Sequence, residues 1–113
     1  MIESYSFGQI KIDGKTYTSD VIIYPNRVNA SWWRKGGHCL CLEDLTEVLQ
    51  DKPEILIIGT GAAGIMQVPK ETKEKMEKAG IELHILKTKE SCKKYNELLK
   101  AGKKVIAALH LTC

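Results

Sequence analysis

The chain has 113 residues, of which 43% are hydrophobic and 27% are charged, and its formal net charge is +3. This length predicts one globular domain over residues 1–113, with a modest core and no second domain. The apolar runs are far shorter than the roughly 20 residues of a membrane-spanning helix, and the first residues lack the basic and apolar regions of a signal peptide. We therefore expect a cytoplasmic protein with no membrane contact.

The positive charge comes almost wholly from lysine, since Arg27 and Arg34 are the two arginines of the chain. Lysines alternate with glutamates over residues 70–78, which is typical of a solvated helix face with ion pairs between successive turns. No aromatic-rich basic patch accompanies the charge. The composition therefore argues against a nucleic-acid partner.

The first part of the chain reads as β-structure. Alternating residues 5–12, the turn at Asp13-Gly14 and residues 15–18 predict a β-hairpin. Residues 20–24 are rich in β-branched side chains and predict a strand that ends at Pro25, because proline cannot donate to a strand ladder. Residues 26–30 are expected to form a loop, and residues 31–34 a short strand or sheet edge.

The middle of the chain begins with a helix and continues with a buried strand. Leu42, Leu45, Val48 and Leu49 have the spacing of a short amphipathic helix, with Cys41 at its N-cap. Four consecutive apolar residues, 55–58, predict a strand that is buried on both faces of a parallel sheet.

Helices and strands alternate after that strand. The pattern predicts a helix over 69–79 with Pro69 as its first residue, a strand over 81–86, a helix over 89–101 capped by Thr88, and a last strand over 105–109. Such a chain folds by default as a right-handed βαβαβ unit. The predicted fold class is therefore α/β, with three layers, a mixed central sheet containing a parallel βαβαβ unit over 55–109, and an N-terminal β-hairpin.

The order of these residues resembles a known family. The landmarks include Asp20, Trp33, the Gly-Thr-Gly sequence at 59–61, and the pattern of Thr88, Cys92 and Tyr95-Asn96. The family is small and largely uncharacterised, and it includes the adipogenesis-associated protein and mitochondrial complex I assembly factor three. The resemblance covers nearly the whole chain, and the short length is similar to that of archaeal members. It implies a mixed sheet with helices on both sides and no established catalytic activity.

Three segments are expected to meet at the same edge of the sheet, because parallel strands bring their carboxyl ends together. They are residues 59–61, 87–88 and 109–110. Open α/β sheets usually bind ligands in a crevice at such an edge. The candidate ligand-binding residues of this crevice are Gly59, Thr60, Gly61, Lys87, Thr88, Cys92, Tyr95, Asn96 and His110.

Residues 59–64 match the G-x-G-x-x-G pattern of dinucleotide sites. Such a site requires a helix that opens directly on the glycine loop, so that its N-terminus meets the pyrophosphate. The next predicted helix starts only at Pro69, and no acidic residue follows the strand over 81–86. We therefore expect no nucleotide cofactor. A tight turn and a small anion held near Thr60 and Lys87 are the two remaining interpretations.

Cys92 has two interpretations. One turn into a helix, a thiol can have a lowered pKa and act as a reactive thiolate. Cys92 also lies on the apolar stripe of its helix, which is typical of a core cysteine, and this pattern favours the core. Tyr95 and Asn96 are expected either to reach the crevice or to hold the helix to a loop.

Soft metal ligands occur near both ends of the chain. They are His38, Cys39, Cys41, His110 and Cys113. Their spacing fits no standard zinc site, so we expect no metal and reduced cysteines.

Trp32, Trp33 and Arg34 form a candidate interface. In a strand, adjacent side chains point to opposite faces, so one tryptophan is expected in the core and one outward. An exposed tryptophan beside an arginine is a typical anchor of a protein interface. Covering an open sheet edge is the alternative interpretation.

No catalytic triad, carboxylate pair or H-E-x-x-H motif can be assembled from the sequence, which favours a protein that is not an enzyme. The leading hypothesis is a protein-interaction or assembly module with an unknown protein partner, able to form a homodimer through the tryptophan edge. The family resemblance supports it, because the characterised eukaryotic relatives act in assembly and regulation. The alternative is a protein that binds, or an enzyme that converts, a small anion or nucleotide-like ligand in the crevice.

Overall fold

A computed structural model describes residues 1–32, 34 and 39–113. The strands are β1 (Ile2–Ser6), β2 (Gln9–Ile12), β3 (Lys15–Tyr17), β4 (Val21–Ile23), β5 (Val28–Asn29), β6 (Ile55–Gly59), β7 (Glu82–Leu86) and β8 (Val105–Leu109). The helices are α1 (Thr46–Asp51), preceded by a 3₁₀ turn over Leu42–Leu45, α2 (Lys70–Lys78) and α3 (Thr88–Lys100). No helix in these ranges has the length and apolar composition that crossing a bilayer requires.

The central sheet has the strand order β5-β4-β8-β6-β7. β6 pairs in parallel with both β7 and β8, and β4 is antiparallel to β8 and β5. Ile57, in the middle of β6, lies opposite His84 on one side and Ala107 on the other. The mixed sheet with a parallel βαβαβ unit is thereby confirmed.

The two faces of this sheet are covered by different layers. Ile55 and Ile57 pack with α3 and the N-terminal strands, whereas Leu56 and Ile58 pack with α1 and α2. Every residue of β6 is buried, because successive side chains of a central strand point into two separate cores. This explains the unbroken apolar run and confirms the three-layer architecture.

The N-terminal segment differs from the single predicted hairpin. Residues 5–12 are not one strand, because Phe7 and Gly8 form a turn that separates β1 from β2. Gly8 has a φ of 76° there, a conformation that glycine adopts without steric cost. The three strands make a separate antiparallel sheet in the order β1-β2-β3.

This small sheet is attached to the rest of the fold by long-range hydrogen bonds. The Asn96 side chain on α3 accepts from the Ile2 N–H at 2.9 Å and donates to the Ile2 carbonyl at 2.8 Å. The Tyr5 hydroxyl donates to the Leu111 carbonyl at 2.8 Å. The small sheet therefore forms part of the layer that contains α3.

Several local predictions were wrong. The predicted loop over 26–30 contains β5, which pairs with β4, whereas Trp32 and Arg34 lie in irregular backbone rather than in a strand. Pro69 is the N-cap of α2 rather than its first residue, and Lys87 is the N-cap of α3. Thr88 is instead the first residue of α3, and its side chain bonds to groups outside the helix.

Candidate functional site

The carboxyl ends of the parallel strands meet in space. Gly59 lies opposite Leu86 and Leu109, and the His110 N–H donates to the Gly59 carbonyl at 3.0 Å. The Thr60 N–H and hydroxyl both donate to the Leu86 carbonyl, at 2.9 and 3.0 Å. Residues 59–61, 87–88 and 110 are thus brought together, as the strand order requires.

The Thr88 side chain bridges two of these segments by hydrogen bonds. Its hydroxyl oxygen accepts from the Gly61 N–H at 2.9 Å, and its hydroxyl donates to the His110 carbonyl at 2.6 Å. The Thr88 side chain is completely buried. It therefore joins the two strand ends to α3 and is not available to a ligand.

The glycine loop is covered by backbone that follows β8. A Cβ placed on Gly61 would lie 2.5 Å from the Cys113 carbonyl oxygen and 2.8 Å from the Thr112 carbonyl oxygen. The Ala62 N–H donates to the Thr112 carbonyl at 2.6 Å, and the Ile65 N–H donates to the Cys113 carbonyl at 3.1 Å. Amide groups that a bound anion would need are thus already bonded to the chain itself.

Lys87 also lies against this loop. A Cβ placed on Gly64 would meet the Lys87 Cγ at 3.2 Å and the Thr60 hydroxyl oxygen at 3.5 Å. The stem of the lysine therefore packs over the loop as part of its covering. These contacts favour the tight-turn interpretation of residues 59–64 over an anion site.

Three of the candidate crevice residues face the small sheet instead. Cys92 is 7% exposed, and burial raises the pKa of its thiol to about 12, opposite to the direction that a reactive thiolate requires. Tyr95 is 4% exposed, and burial likewise raises the pKa of its phenol. The side-chain amide of Asn96 is hydrogen-bonded to the backbone N–H and carbonyl of Ile2. The α3 stripe is therefore part of the core that supports β1.

A buried ionic network adjoins His110. The Asp20 Oδ2 atom accepts from the Arg34 Nη1 at 2.6 Å and lies 2.7 Å from the His110 Nδ1. The Asp20 Oδ1 atom accepts from the Leu111 N–H at 2.8 Å, and the Arg34 Nη2 lies 3.0 Å from the His110 Nδ1. Arg34 and His110 are 8% and 6% exposed and Asp20 is half-buried, so most of the network is shielded from solvent.

The protonation of Asp20 reflects these partners. Burial on its own raises the pKa of the carboxyl group, but the hydrogen bonds from Leu111, His110 and Arg34 outweigh burial and hold the pKa below its ordinary value. Sequence reasoning gave Asp20 no role beyond a family landmark and placed Arg34 and His110 in two different sites. The available signal was an acidic residue directly before a strand of buried residues.

A cleft lies on the side of Trp32 that faces away from the ionic network. It has a volume of about 560 Å³, and its apolar lining is Ile22, Tyr24 and Trp32. Its polar lining is Asn29, Glu43, Asp44, Thr46 and Glu47. The 3₁₀ turn and α1 therefore supply the acidic side chains, and β4 with the residue after it supplies much of the apolar floor. We refer to this set as the acidic cleft.

Trp32 separates the acidic cleft from the ionic network. Its indole N–H donates to the Asp44 carbonyl at 3.2 Å, and the Arg34 guanidinium lies 4.9 Å from the centroid of its ring. Trp32 is only 7% exposed, so it is part of the cleft floor and not an outward anchor. Trp33 lies outside the described residues, so the prediction that one of the two tryptophans points outward stays a prediction.

Two lining residues of the acidic cleft, Tyr24 and Glu47, already contact a guanidinium group, that of Arg27, which lines a neighbouring cavity. The Arg27 guanidinium carbon lies 3.9 Å from the centroid of the Tyr24 ring, and its Nη2 lies 3.7 Å from the Glu47 carboxylate. The Tyr24 hydroxyl donates to the same carboxylate at 3.3 Å. Burial, and then the Glu47 charge, raise the pKa of the Tyr24 hydroxyl to about 12, so it remains a donor.

The soft ligands do not assemble into a larger set within the described ranges. There, no group of three or more histidine, cysteine, aspartate or glutamate side chains is placed to hold a metal ion. Cys39, Cys41 and Cys113 are free and half-buried, and His38 lies outside the described residues. The expectation of no metal stays an expectation.

Comparisons with known proteins agree with this architecture. The conserved hypothetical protein PH1505 from Pyrococcus horikoshii OT3 is 32% identical, with a TM-score of 0.87 over 100% of this chain and 99% of that chain. MT938 is 31% identical, with a TM-score of 0.84 over 100% and 98% of the two chains. A Mth938-like domain protein from Bordetella pertussis has a TM-score of 0.71 over 98% and 85%; at 17% identity it shows the fold alone.

A family model with the description "protein of unknown function (DUF498/DUF598)" matches residues 2–110. The match spans nearly the whole chain, and with the MT938 and Mth938-like structures it is consistent with the family that the residue pattern resembles. The chain therefore belongs to the DUF498/DUF598 family.

Proposed function

We propose that this protein is a non-enzymatic interaction module that binds a basic side chain of a protein partner in the acidic cleft. The observation that supports the proposal is the pairing of aromatic floor and carboxylate rim around an open volume of about 560 Å³. Such a module can serve the assembly of larger complexes without catalysing a reaction.

The charge of the cleft is opposite to that of the chain. Glu43, Asp44 and Glu47 line the cleft with acidic side chains, and Glu47 already pairs with a guanidinium group at 3.7 Å, although the net charge of the chain is +3. A cation is attracted both by carboxylates and by the faces of tyrosine and tryptophan rings. The cleft is therefore complementary to an arginine or lysine side chain.

Arg27 supports this choice of ligand. Its guanidinium makes within the chain the two contacts that we propose for the partner, one with the Tyr24 ring and one with the Glu47 carboxylate. Guanidinium groups stack on aromatic faces and pair with carboxylates in this way. Arg27 is half-exposed, so it can be displaced without unfolding.

The alternative function uses the crevice at the carboxyl ends of the parallel strands. Thr60, Thr88, Cys92 and His110 are all buried, and the loop amides of Ala62 and Ile65 bond to the backbone of residues 112–113. A ligand would first have to displace that backbone. These contacts support the interaction proposal over a small-ligand site.

The proposal predicts selective binding of arginine. An acetylated Gly-Arg-Gly peptide is expected to shift the NMR signal of the Trp32 indole N–H, whereas the matched peptide with neutral citrulline leaves it in place. Replacing both Glu43 and Glu47 by glutamine is expected to weaken binding by about fivefold or more, since each exposed ion pair contributes up to about 1 kcal/mol. Glu74→Gln is the control, because Glu74 is an exposed glutamate on α2.

Equal shifts with the arginine and citrulline peptides would contradict the proposal. So would equal losses of affinity in the cleft variant and in Glu74→Gln, since that result would indicate attraction to net charge alone.

Arg27→Ala is expected to have the opposite effect. Removing this side chain exposes one face of Tyr24 and releases Glu47, so the arginine peptide is expected to bind about threefold more tightly. Isothermal titration with wild type and variant measures the change. Weaker binding by Arg27→Ala would mean that Arg27 helps to form the site rather than occupying it.

A further inference from the structure

The central sheet has two edges of different character. β5 ends one side and has only two residues, and the nearby Trp32 is buried. β7 ends the other side with five residues, and no described strand lies beyond it. The edge that offers a row of backbone groups to another chain is therefore β7 and not the tryptophan edge.

The direction of the backbone groups in β7 follows from its bonds to the rest of the sheet. The Glu82 N–H donates to the Glu54 carbonyl at 3.0 Å, and the Leu86 carbonyl accepts from the Thr60 N–H at 2.9 Å. The backbone groups of successive residues point alternately to the two sides of a strand. The N–H and C=O groups of His84 therefore point toward β6, as those of Glu82 and Leu86 do. The N–H and C=O groups of Leu83 and Ile85 consequently point away from the sheet.

We propose that β7 pairs antiparallel with β7 of a second copy of this chain, which joins the two central sheets into one. Leu83 would lie opposite the partner subunit's Ile85, and Ile85 opposite the partner subunit's Leu83. Each of these pairs exchanges two backbone hydrogen bonds. His84 then lies on the two-fold axis, opposite the partner subunit's His84.

A second copy fits this edge because the strand is complementary to itself. The two residues with outward backbone groups flank His84 symmetrically, as an isologous two-fold interface requires. The pairing also sets the acidic end of each strand, at Glu82, beside the basic end of the other, at Lys87, and both residues are exposed. Leu83, Ile85 and Leu86 are only half-buried, so pairing would remove further apolar surface from water.

Cysteine cross-linking tests the register directly. Residues directly opposite in a non-hydrogen-bonded antiparallel pair have Cα atoms about 4.5 Å apart, which is within the range of a disulfide. In a background with serine at Cys39, Cys41 and Cys113, His84→Cys is therefore expected to give a disulfide-linked dimer when treated with diamide. The two positions 82 of such a dimer lie about 13 Å apart along the strands, so Glu82→Cys is the matched control.

The expected result is that His84→Cys cross-links at least about ten times faster than Glu82→Cys, because pairing holds its two thiols at a high effective concentration. Native mass spectrometry and analytical ultracentrifugation of the unmodified chain are expected to show a dimer. Ile85→Pro is expected to weaken it, since proline removes an outward N–H and leaves the bonds of β7 to β6 in place.

Equal cross-linking rates at positions 82 and 84 would overturn the proposed register. A monomer at every concentration of the unmodified chain, or a dimer unaffected by Ile85→Pro in a folded variant, would overturn the edge pairing. None of these results bears on the acidic cleft, so the two proposals can fail independently.

Discussion

Asp20→Asn is expected to lower the free energy of unfolding by about 3 kcal/mol, the typical cost of breaking a buried ion pair by removing one partner. Asparagine keeps the shape of the side chain but replaces one acceptor oxygen by a donor, which would face the donors of Arg34 and His110. Urea denaturation at neutral pH measures the change. The control is Asp51→Asn, at a half-buried position at the end of α1, with an expected change of less than about 0.5 kcal/mol.

The same variant predicts a pH dependence. The pKa of Asp20 in the folded protein lies below its ordinary value of 3.8, so its ionised form stabilises the fold. That contribution is fully present above about pH 5 and is lost as the pH falls through the folded pKa. The difference in stability between wild type and Asp20→Asn is therefore expected to be constant above about pH 5 and to shrink in more acidic solution. A difference that grows on acidification would contradict this assignment.

Gly61→Ala is expected to destabilise the protein by at least about 2 kcal/mol. Gly61 has a φ of 106°, a region that costs a residue with a side chain about 1–3 kcal/mol. The added methyl group would also lie 2.5 Å from the Cys113 carbonyl oxygen, so the covering backbone would have to move. Thermal unfolding measures the loss, and faster hydrogen exchange at Ala62 and Ile65 is expected because their acceptors lie in that backbone.

Gly14→Ala separates these two causes. Gly14 has a φ of 82° in the turn between β2 and β3, and a Cβ there would meet no atom within 4 Å. This variant therefore carries the cost of the backbone conformation without the close approach. If both variants lose the same stability, the segment over residues 112–113 does not pack against the glycine loop as described.

Much of the fold could be predicted because it depends on local patterns. The apolar runs at 55–58 and 105–109 are buried on both faces, and the alternation of strands with helices dictates a parallel unit. The turn at Phe7-Gly8 was missed although the alternation changes phase there, from Tyr5 and Phe7 to Ile10 and Ile12. β5 was missed since a strand of two residues owes its existence to the neighbouring β4 rather than to its own composition.

The candidate sites were harder to predict, because they depend on contacts between distant residues. His110 meets Arg34 across 76 positions of sequence and Asp20 across 90, and no pattern along the chain relates them. Strand order correctly brings Gly59, Lys87 and His110 to one edge. It does not show that residues 112–113 fold back over that edge. The sequence therefore predicts an accessible crevice, whereas in the structure this backbone covers it.

The position of β8 in the sheet has a consequence for biosynthesis. β8 follows every other strand of the sheet in sequence but is the central one in space, between β4 and β6. Until residues 105–109 leave the ribosome, the two halves of the sheet have nothing to join them, and the buried residues of β4 and β6 remain accessible to other chains. The sheet can therefore close only after β8 has been synthesised, and until then its unpaired apolar strands are prone to aggregate. Chaperone capture of ribosome-bound chains that stop before β8 would be the expected cellular sign of this order.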